Sequence, residues 1–267
     1  MIRLESVEVV FGRGGPDERR VLDSLTLAVP KGQHVSVIGS NGAGKTTLLN
    51  AIAGSVPLES GRILIDGADQ SRFPEWKRAR YVGRVRQDPL AGTAGDMTVL
   101  DNLALASRKG PRRLRIAVPS RLRRELRDRL AELGMGLEDR LRENVNRLSG
   151  GQRQALTLLM ASISRPAVLL LDEHTAALDP RNAELVSGLT RRFVGEYGLT
   201  ALAVTHDMRR AIDEGDRLIM MHEGTVVADV AGDAKKGLTV ERLVDLFRRT
   251  RGGDYAEDRD LLSPCPP

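Results

Sequence analysis

The run Val35-Ser36-Val37-Ile38 reads as a buried strand. It leads straight into Gly39-Ser40-Asn41-Gly42-Ala43-Gly44-Lys45-Thr46, and a helical pattern continues from Thr46 to Ala53 before Gly54. This strand–loop–helix spacing, G-x-x-x-x-G-K-[ST], constrains the chain more than any other feature. Its glycines let the backbone bend so that successive N–H groups converge on phosphate oxygens, and the helix adds the positive end of its dipole. Lys45 is placed to reach β- and γ-phosphates, and the Thr46 hydroxyl to bind Mg²⁺. Thr47 offers a further hydroxyl near an α-phosphate.

The rest of the chain alternates strand and helix around this loop. Residues 2–10 and 21–29 read as strands split by the turn-rich 12–17, and 61–66 as another alternating strand. From about Thr98 to Ile163 the apolar spacing becomes helical, with Leu122, Leu126, Leu130 and Leu133 in register. Strands return at 168–171, 201–204 and 217–221, with a helix over 181–195 between the first two and an amphipathic helix from Thr239 to Arg249. That order argues an α/β fold with a parallel sheet. The tail from Gly252 to Pro267 is expected to be disordered.

Composition narrows the class. The chain has 267 residues, 41% hydrophobic and 29% charged, which suits a globular protein with a sizeable core. No run approaches the length of a membrane-spanning helix, and the start, MIRLESVEVVFG, lacks the apolar block of a secretory signal. A cytoplasmic location is expected. Cys265 is the only cysteine, which excludes an internal disulfide and a cysteine zinc site. His34, His174, His206 and His222 show no metal-ligand spacing. The net charge of +5 suits nucleic acid, anionic lipid or a phosphorylated ligand, and equally an arginine-rich composition with no functional cause. Residues 108–129 concentrate that charge, carrying Pro111 and Pro119 and only Glu125 and Asp128 as acids.

Three further features bear chemistry. The apolar run Val168-Leu169-Leu170-Leu171 ends in Asp172-Glu173, where α/β sheets place ligand chemistry. Asp172 would hold Mg²⁺ directly or through water, and Glu173 would polarise a water for in-line attack on a γ-phosphate. His206 closes the strand 201–205, a position from which its imidazole can contact that phosphate. Leu148-Ser149-Gly150-Gly151-Gln152 opens a helix expected over Gln152–Ile163, with Ser149 as N-cap. The Ser149 hydroxyl and the Gly150 and Gly151 amides make a second anion site, although the same five residues also suit an ordinary cap.

Together these runs resemble the ATP-binding cassette (ABC) ATPases, from about residue 2 to 230. The resemblance implies a P-loop NTPase fold over 1–250, with a RecA-like core, an antiparallel β subdomain and an α-helical subdomain inserted at about 95–165. It implies ATP and Mg²⁺ as ligands and ATP hydrolysis as the activity. Phe11 would stack on adenine, Gln87 would touch Mg²⁺ and sense the γ-phosphate, and His206 would act as the switch histidine. Arg86, before Gln87, stands where relatives often carry an aromatic residue. Leu148 to Gln152 would close over ATP held by a second ATPase subunit, most simply another copy of this chain, with Asp179 in the adjoining D-loop. Permease subunits would carry the substrate path, with an extracytoplasmic substrate-binding protein as an indirect partner. The ATPase would then sit on the inner face of the cell membrane. The wording of 87–94, 148–161 and 171–180 is similar to importer ATPases that accompany tryptophan- or tyrosine-type binding proteins, which implies an amino-acid-like solute. A soluble ABC ATPase acting on nucleic acid or ribosomes is the alternative, although such relatives usually carry two cassettes or long insertions.

Overall fold

The computed structural model describes residues 1–107 and 118–250. The expected disordered tail, Cys265 and the first half of the basic segment lie outside the described residues. The chain begins with β1 (Ile2–Phe11), β2 (Arg19–Val29), β3 (His34–Gly39), α1 (Lys45–Ala53), β4 (Ser60–Ile65), β5 (Ala68–Asp69) and α2 (Glu75–Arg78). It continues with β6 (Val82–Val85), α3 (Val99–Ala106), α4 (Ser120–Ala131), α5 (Gly150–Ile163), β7 (Val168–Asp172) and α6 (Pro180–Tyr197). It ends with β8 (Thr200–Val204), α7 (Met208–Asp213), β9 (Arg217–His222), β10 (Thr225–Ala231), α8 (Asp233–Lys236) and α9 (Val240–Thr250). These elements form two compact units, Met1–Arg78 with Thr200–Pro267, and Ala79–Leu199.

In the first unit an antiparallel sheet has the order β2-β1-β4-β5. β1 buries Ile2 and Leu4 and, beyond an irregularity at Ser6 (φ 47°) that shifts the register, Val7 and Val9, so that one face stays packed. The second sheet of this unit runs β10-β9-β3-β8. Here β3 pairs in parallel with both β8 and β9, while β10 returns antiparallel on β9. All six residues of β3 and all five of β8 are buried, the continuous burial expected of central parallel strands. That burial fixes where β3 ends, and so where the glycine loop begins.

The helix after that loop is anchored at its far end. Arg78 is 1% exposed, yet its guanidinium donates to the carbonyls of Ala51 (2.6 Å) and Ile52 (3.0 Å) in the last turn of α1. It also donates to the carbonyls of Phe73 (2.8 Å) and Ser71 (3.0 Å). Burial lowers its pKa, with Asp69 opposing. A cation at the negative end of α1 complements the helix dipole, whose positive end faces the glycine loop.

In the second unit β6 and β7 pair in parallel, and every residue of β7 is buried. The helix α5 packs Ala155, Leu156, Leu158 and Leu159 inward. By contrast α4 buries only Leu126 and Leu130, one turn apart, and leaves a charged surface. Here α5 starts at Gly150, two residues before the expected Gln152, because Ser149 is its cap. The strands β6 and β10 and the short helices α2, α7 and α8 add to the elements expected from sequence. Among the described residues no helix is long and apolar enough to cross a membrane.

The C-terminal segment closes the first unit. Leu243 and Phe247 of α9 join Met208 and Ala211 of α7, Leu218 and Met220 of β9, and Ile38 of β3 in one buried cluster. Lys235, 5% exposed, donates to the carbonyls of Ile212 (2.6 Å), Glu214 (2.8 Å) and Gly215 (2.9 Å) at the end of α7. A buried ammonium thus satisfies carbonyls that a six-residue helix cannot pair itself. Lys235→Met should cost about 2–3 kcal/mol in urea unfolding, the range for losing charged hydrogen bonds and orphaning their acceptors. A loss below about 0.5 kcal/mol, the scale of an ordinary surface change, would show that water replaces the ammonium.

Candidate functional site

The first unit carries the phosphate loop. Gly39 ends β3, Ser40 is buried at 4% exposure, Asn41 and Gly42 are exposed, and Ala43 is buried. The loop is pinned from behind, because the Ala43 carbonyl accepts from the Gly224 amide at 3.1 Å and the Gly224 carbonyl from the Asp23 amide at 3.3 Å. Gly44 is the N-cap of α1 at φ 94°, and a β-carbon there would sit 2.9 Å from the Val21 carbonyl oxygen. Both facts demand glycine. No side chain caps α1, and its first turn holds no acid. The positive end of the helix is therefore directed at the loop and not neutralised by the chain itself.

Lys45 is 7% exposed and folds back along the loop, its ammonium donating to the Gly39 (2.7 Å) and Ser40 (2.9 Å) carbonyls. Thr46 is exposed and Thr47 half-buried on the first turn. Phe11 ends β1 at 43% exposure and pairs across the strands with Arg19. An Nη atom of Arg19 lies 3.4 Å from the point where a β-carbon of Gly42 would sit. Arg19 was not legible as a site residue, since only the β1–β2 register brings it to the loop. His206 is exposed just after β8, and Asp207 caps α7 by accepting from the Arg210 amide at 3.1 Å.

The second unit carries the carboxylates. Asp172 closes β7 at 9% exposure, and its Oδ2 lies 3.4 Å from an Nη of Arg84 on β6. Glu173 is half-buried with φ 46°, a left-handed conformation that costs a non-glycine residue on the order of 1–3 kcal/mol. Gln87 is exposed after β6, before a turn capped by Asp88, which accepts from the Leu90 amide at 2.9 Å.

One buried side chain ties these segments together. Gln154, on the first turns of α5, donates its amide to the Arg86 carbonyl (3.0 Å) and the His174 carbonyl (2.6 Å). It therefore bridges the residue before Gln87 and the residue after Glu173. His174 itself is 6% exposed and packs its Nε2 against the Thr190 hydroxyl at 3.1 Å, a structural placement. Gln154 could have been suspected from sequence only as a polar residue on an apolar helix face.

The Leu148–Gln152 loop divides its labour. Leu148 is buried, and Gln152 closes a capping box with Ser149, accepting from the Ser149 amide (3.2 Å) while the Ser149 hydroxyl accepts from the Gln152 amide (3.3 Å). Gln152 also accepts from Arg140 (3.1 Å) and donates to the Met135 carbonyl (3.4 Å). Ser149 and Gly150 are exposed. Asp179 caps α6 and holds Asn182 through its amide (3.1 Å) and its Nδ2 (2.6 Å), bonds that keep the Asp179 pKa low. Asn182 in turn packs on Gly151, where a β-carbon would meet its Cγ at 2.4 Å.

A model of the ABC transporter family matches residues 22–176. The chain belongs to that family. It is 42% identical over 248 residues to a tyrosine transport ATP-binding protein of Clostridioides difficile, spanning 92% of this chain and 98% of that protein. It is 38% identical over 228 residues to an Fe(3+) ions import ATP-binding protein of Streptomyces coelicolor, covering 85% of this chain and 60% of that one. Among solved structures it resembles a dimeric ATP-binding cassette in a post-hydrolysis state bound to ADP and Pi, at TM-score 0.73 and 27% identity. That match covers 86% of this chain and 98% of the other. The ABC chain thus has the α/β fold of a P-loop ATPase cassette, binds ATP and acts as an ATP-hydrolysing transporter subunit.

Each unit, taken by itself, offers an oxygen of the kind that Mg²⁺ takes. Among the described residues no three His, Cys, Asp or Glu side chains form a cage. Mg²⁺ in phosphate sites instead takes one or two protein oxygens, with phosphates and water filling the rest. A buried strand-end carboxylate, Asp172, and an exposed hydroxyl, Thr46, are oxygens of that kind.

The two glycines of the ABC signature should respond in opposite ways. Gly151→Ala drives a β-carbon into Asn182 and should cost about 1–3 kcal/mol by chemical denaturation. Gly150→Ala meets nothing closer than 3.8 Å and should be neutral or gain up to about 1 kcal/mol of helix propensity. Equal effects would mean that Asn182 does not rest on Gly151.

Proposed function

We propose that this chain powers an importer of an amino-acid-like solute by ATP-driven closure of two cassettes. The observation that supports it most is the 42% identity to a tyrosine transport ATP-binding protein along 98% of that protein's length. Residues 1–250 serve as one cassette, with about 95–165 as its helical subdomain. The cassette acts at the inner face of the cell membrane, on permease subunits fed by an extracytoplasmic binding protein.

In this reading the amides of Gly39 to Gly44 cradle the phosphates, Phe11 stacks on adenine, and Arg19 adds charge beside Gly42. Lys45 exchanges its loop carbonyls for β- and γ-phosphate oxygens, and Thr47 contacts the α-phosphate. Thr46, Asp172 and Gln87 are the residues that would hold Mg²⁺, which would neutralise phosphate charge. Glu173 takes the proton of the attacking water, and His206 holds that water in line with the γ-phosphate. Ser149, Gly150 and Gly151 present donors to the γ-phosphate of ATP on a second copy, while Leu148 and Gln152 keep that loop in shape. Asp179 positions the signature through Asn182. Closure then follows from differential affinity, because ADP lacks the γ-phosphate that the signature grips. The dimeric cassette bound to ADP and Pi supports such an assembly for this chain.

Glu173→Gln keeps the size and hydrogen bonding of the side chain and removes only its basicity. The variant should bind ATP, lose at least about 100-fold in turnover, the usual worth of a general base, and elute as an ATP-dependent dimer in gel filtration. Turnover at the wild-type rate would refute Glu173 as the base.

A further inference from the structure

We propose that the arginine-lined groove beside α4 is a docking site for the headgroups of anionic glycerophospholipids. This rests on the transporter reading, because it supposes a cassette that works against a membrane surface. The groove has a volume of about 470 Å³ and is lined by Arg123, Arg124 and Arg127 of α4, by Arg142, and by Glu138 and Asp139. It lies wholly within the second unit, and none of the residues assigned to ATP lines it.

The charge in the groove is only partly balanced. Asp139 pairs with Arg127 at 2.6 Å, and the neighbouring Arg140 is held by Glu143. Among the described residues Arg123, Arg124 and Arg142 enter no ion pair, and all three are exposed. The helix itself holds five arginines against Glu125 and Asp128, and its fully buried side chains are Leu126 and Leu130, with Leu122 and Arg129 half-buried. A helix that uses so narrow an apolar stripe presents most of its circumference as cationic surface. In sequence, Arg108, Lys109, Arg112, Arg113 and Arg115 precede it. No part of the proposed site depends on those residues.

The chemistry of the groove selects among anions. Planar guanidinium groups bind phosphodiester oxygens in pairs, and their methylene stems tolerate the edge of the acyl region. Glu138 and Asp139 would repel a polyphosphate strand, yet they accept hydrogen bonds from the hydroxyls of a phosphoglycerol headgroup. Neither α4 nor the groove carries an aromatic ring, so the stacking platform that holds single-stranded nucleic acid is missing. A cup for one headgroup, ringed by further charge, is the arrangement of a peripheral lipid contact.

The test is flotation of the full chain with vesicles of equal parts phosphatidylglycerol and phosphatidylcholine, at low and at physiological salt. The wild type should float with these vesicles, should not float with pure phosphatidylcholine, and should release as salt rises. Substituting Arg123→Gln, Arg124→Gln and Arg142→Gln together should weaken binding roughly 100-fold, the combined worth of three interfacial charges. The three Arg→Lys exchanges should keep most of it. ATP hydrolysis in solution should be the same in all variants, which separates lost docking from lost folding. Binding to both vesicle types, unchanged binding by the triple Gln chain, or displacement of wild type from vesicles by an equal charge of polyuridylate would each overturn the proposal. A chain that hydrolyses ATP normally but ignores anionic vesicles would end the docking proposal and leave the transporter reading intact.

Discussion

The positive end of α1 is the constraint on which the site depends. A helix N-terminus presents amides that its own backbone cannot satisfy, and here no side chain caps it. The surrounding structure holds the glycine loop to that end: β3 is buried throughout, Gly44 fits against Val21, and Gly224 grips Ala43. Arg78 secures the opposite end of the helix on four carbonyls. The N-terminus of α5, proposed to meet ATP on a second copy, is built differently. Ser149 and Gln152 cap each other there, so that the loop keeps its shape while Ser149 and Gly150 face outward. In the proposed function one end holds a triphosphate and the other touches one.

The segments that bear the proposed catalytic residues are held by side chains outside the proposed nucleotide contacts. Gln154 connects the carbonyls of Arg86 and His174, so the segments bearing Gln87 and Glu173 share one support. Asp179 and Asn182 connect α6 to the signature at Gly151. In the first unit Lys235 and the α9 cluster hold α7, which begins one residue after His206–Asp207. Each support is a hydrogen bond or close contact with little slack, the kind of element through which a bound γ-phosphate can shift a population of conformers.

Much of this was legible because the informative residues are local. The loop at 39–46, the strand ending in Asp172–Glu173 and the cap at Ser149 each lie within one strand–turn–helix passage, where residue type and spacing decide the geometry. The helix expected over Gln152–Ile163 begins two residues earlier, at Gly150, directly after the Ser149 cap that residue type made legible. Arg19, Gln154, Arg78 and Lys235 were not legible. Their partners lie on other elements or across turns, and an isolated arginine, glutamine or lysine carries no spacing signal. The strand β10 was missed for a related reason. Only Val226 and Val230 give it alternation, and its half-buried edge position needs no strong apolar pattern.

In the proposed function one copy holds ATP at α1 while another copy's α5 closes on it. Disulfide trapping tests this most directly. With Cys265 replaced by serine, one chain carries Asn41→Cys and the other Ser149→Cys, both at exposed positions. Closure of a shared site predicts a cross-linked dimer that forms rapidly with ATP and slowly with ADP or no nucleotide. A mixture that stays uncross-linked with ATP, while each chain still binds it, would contradict the shared site.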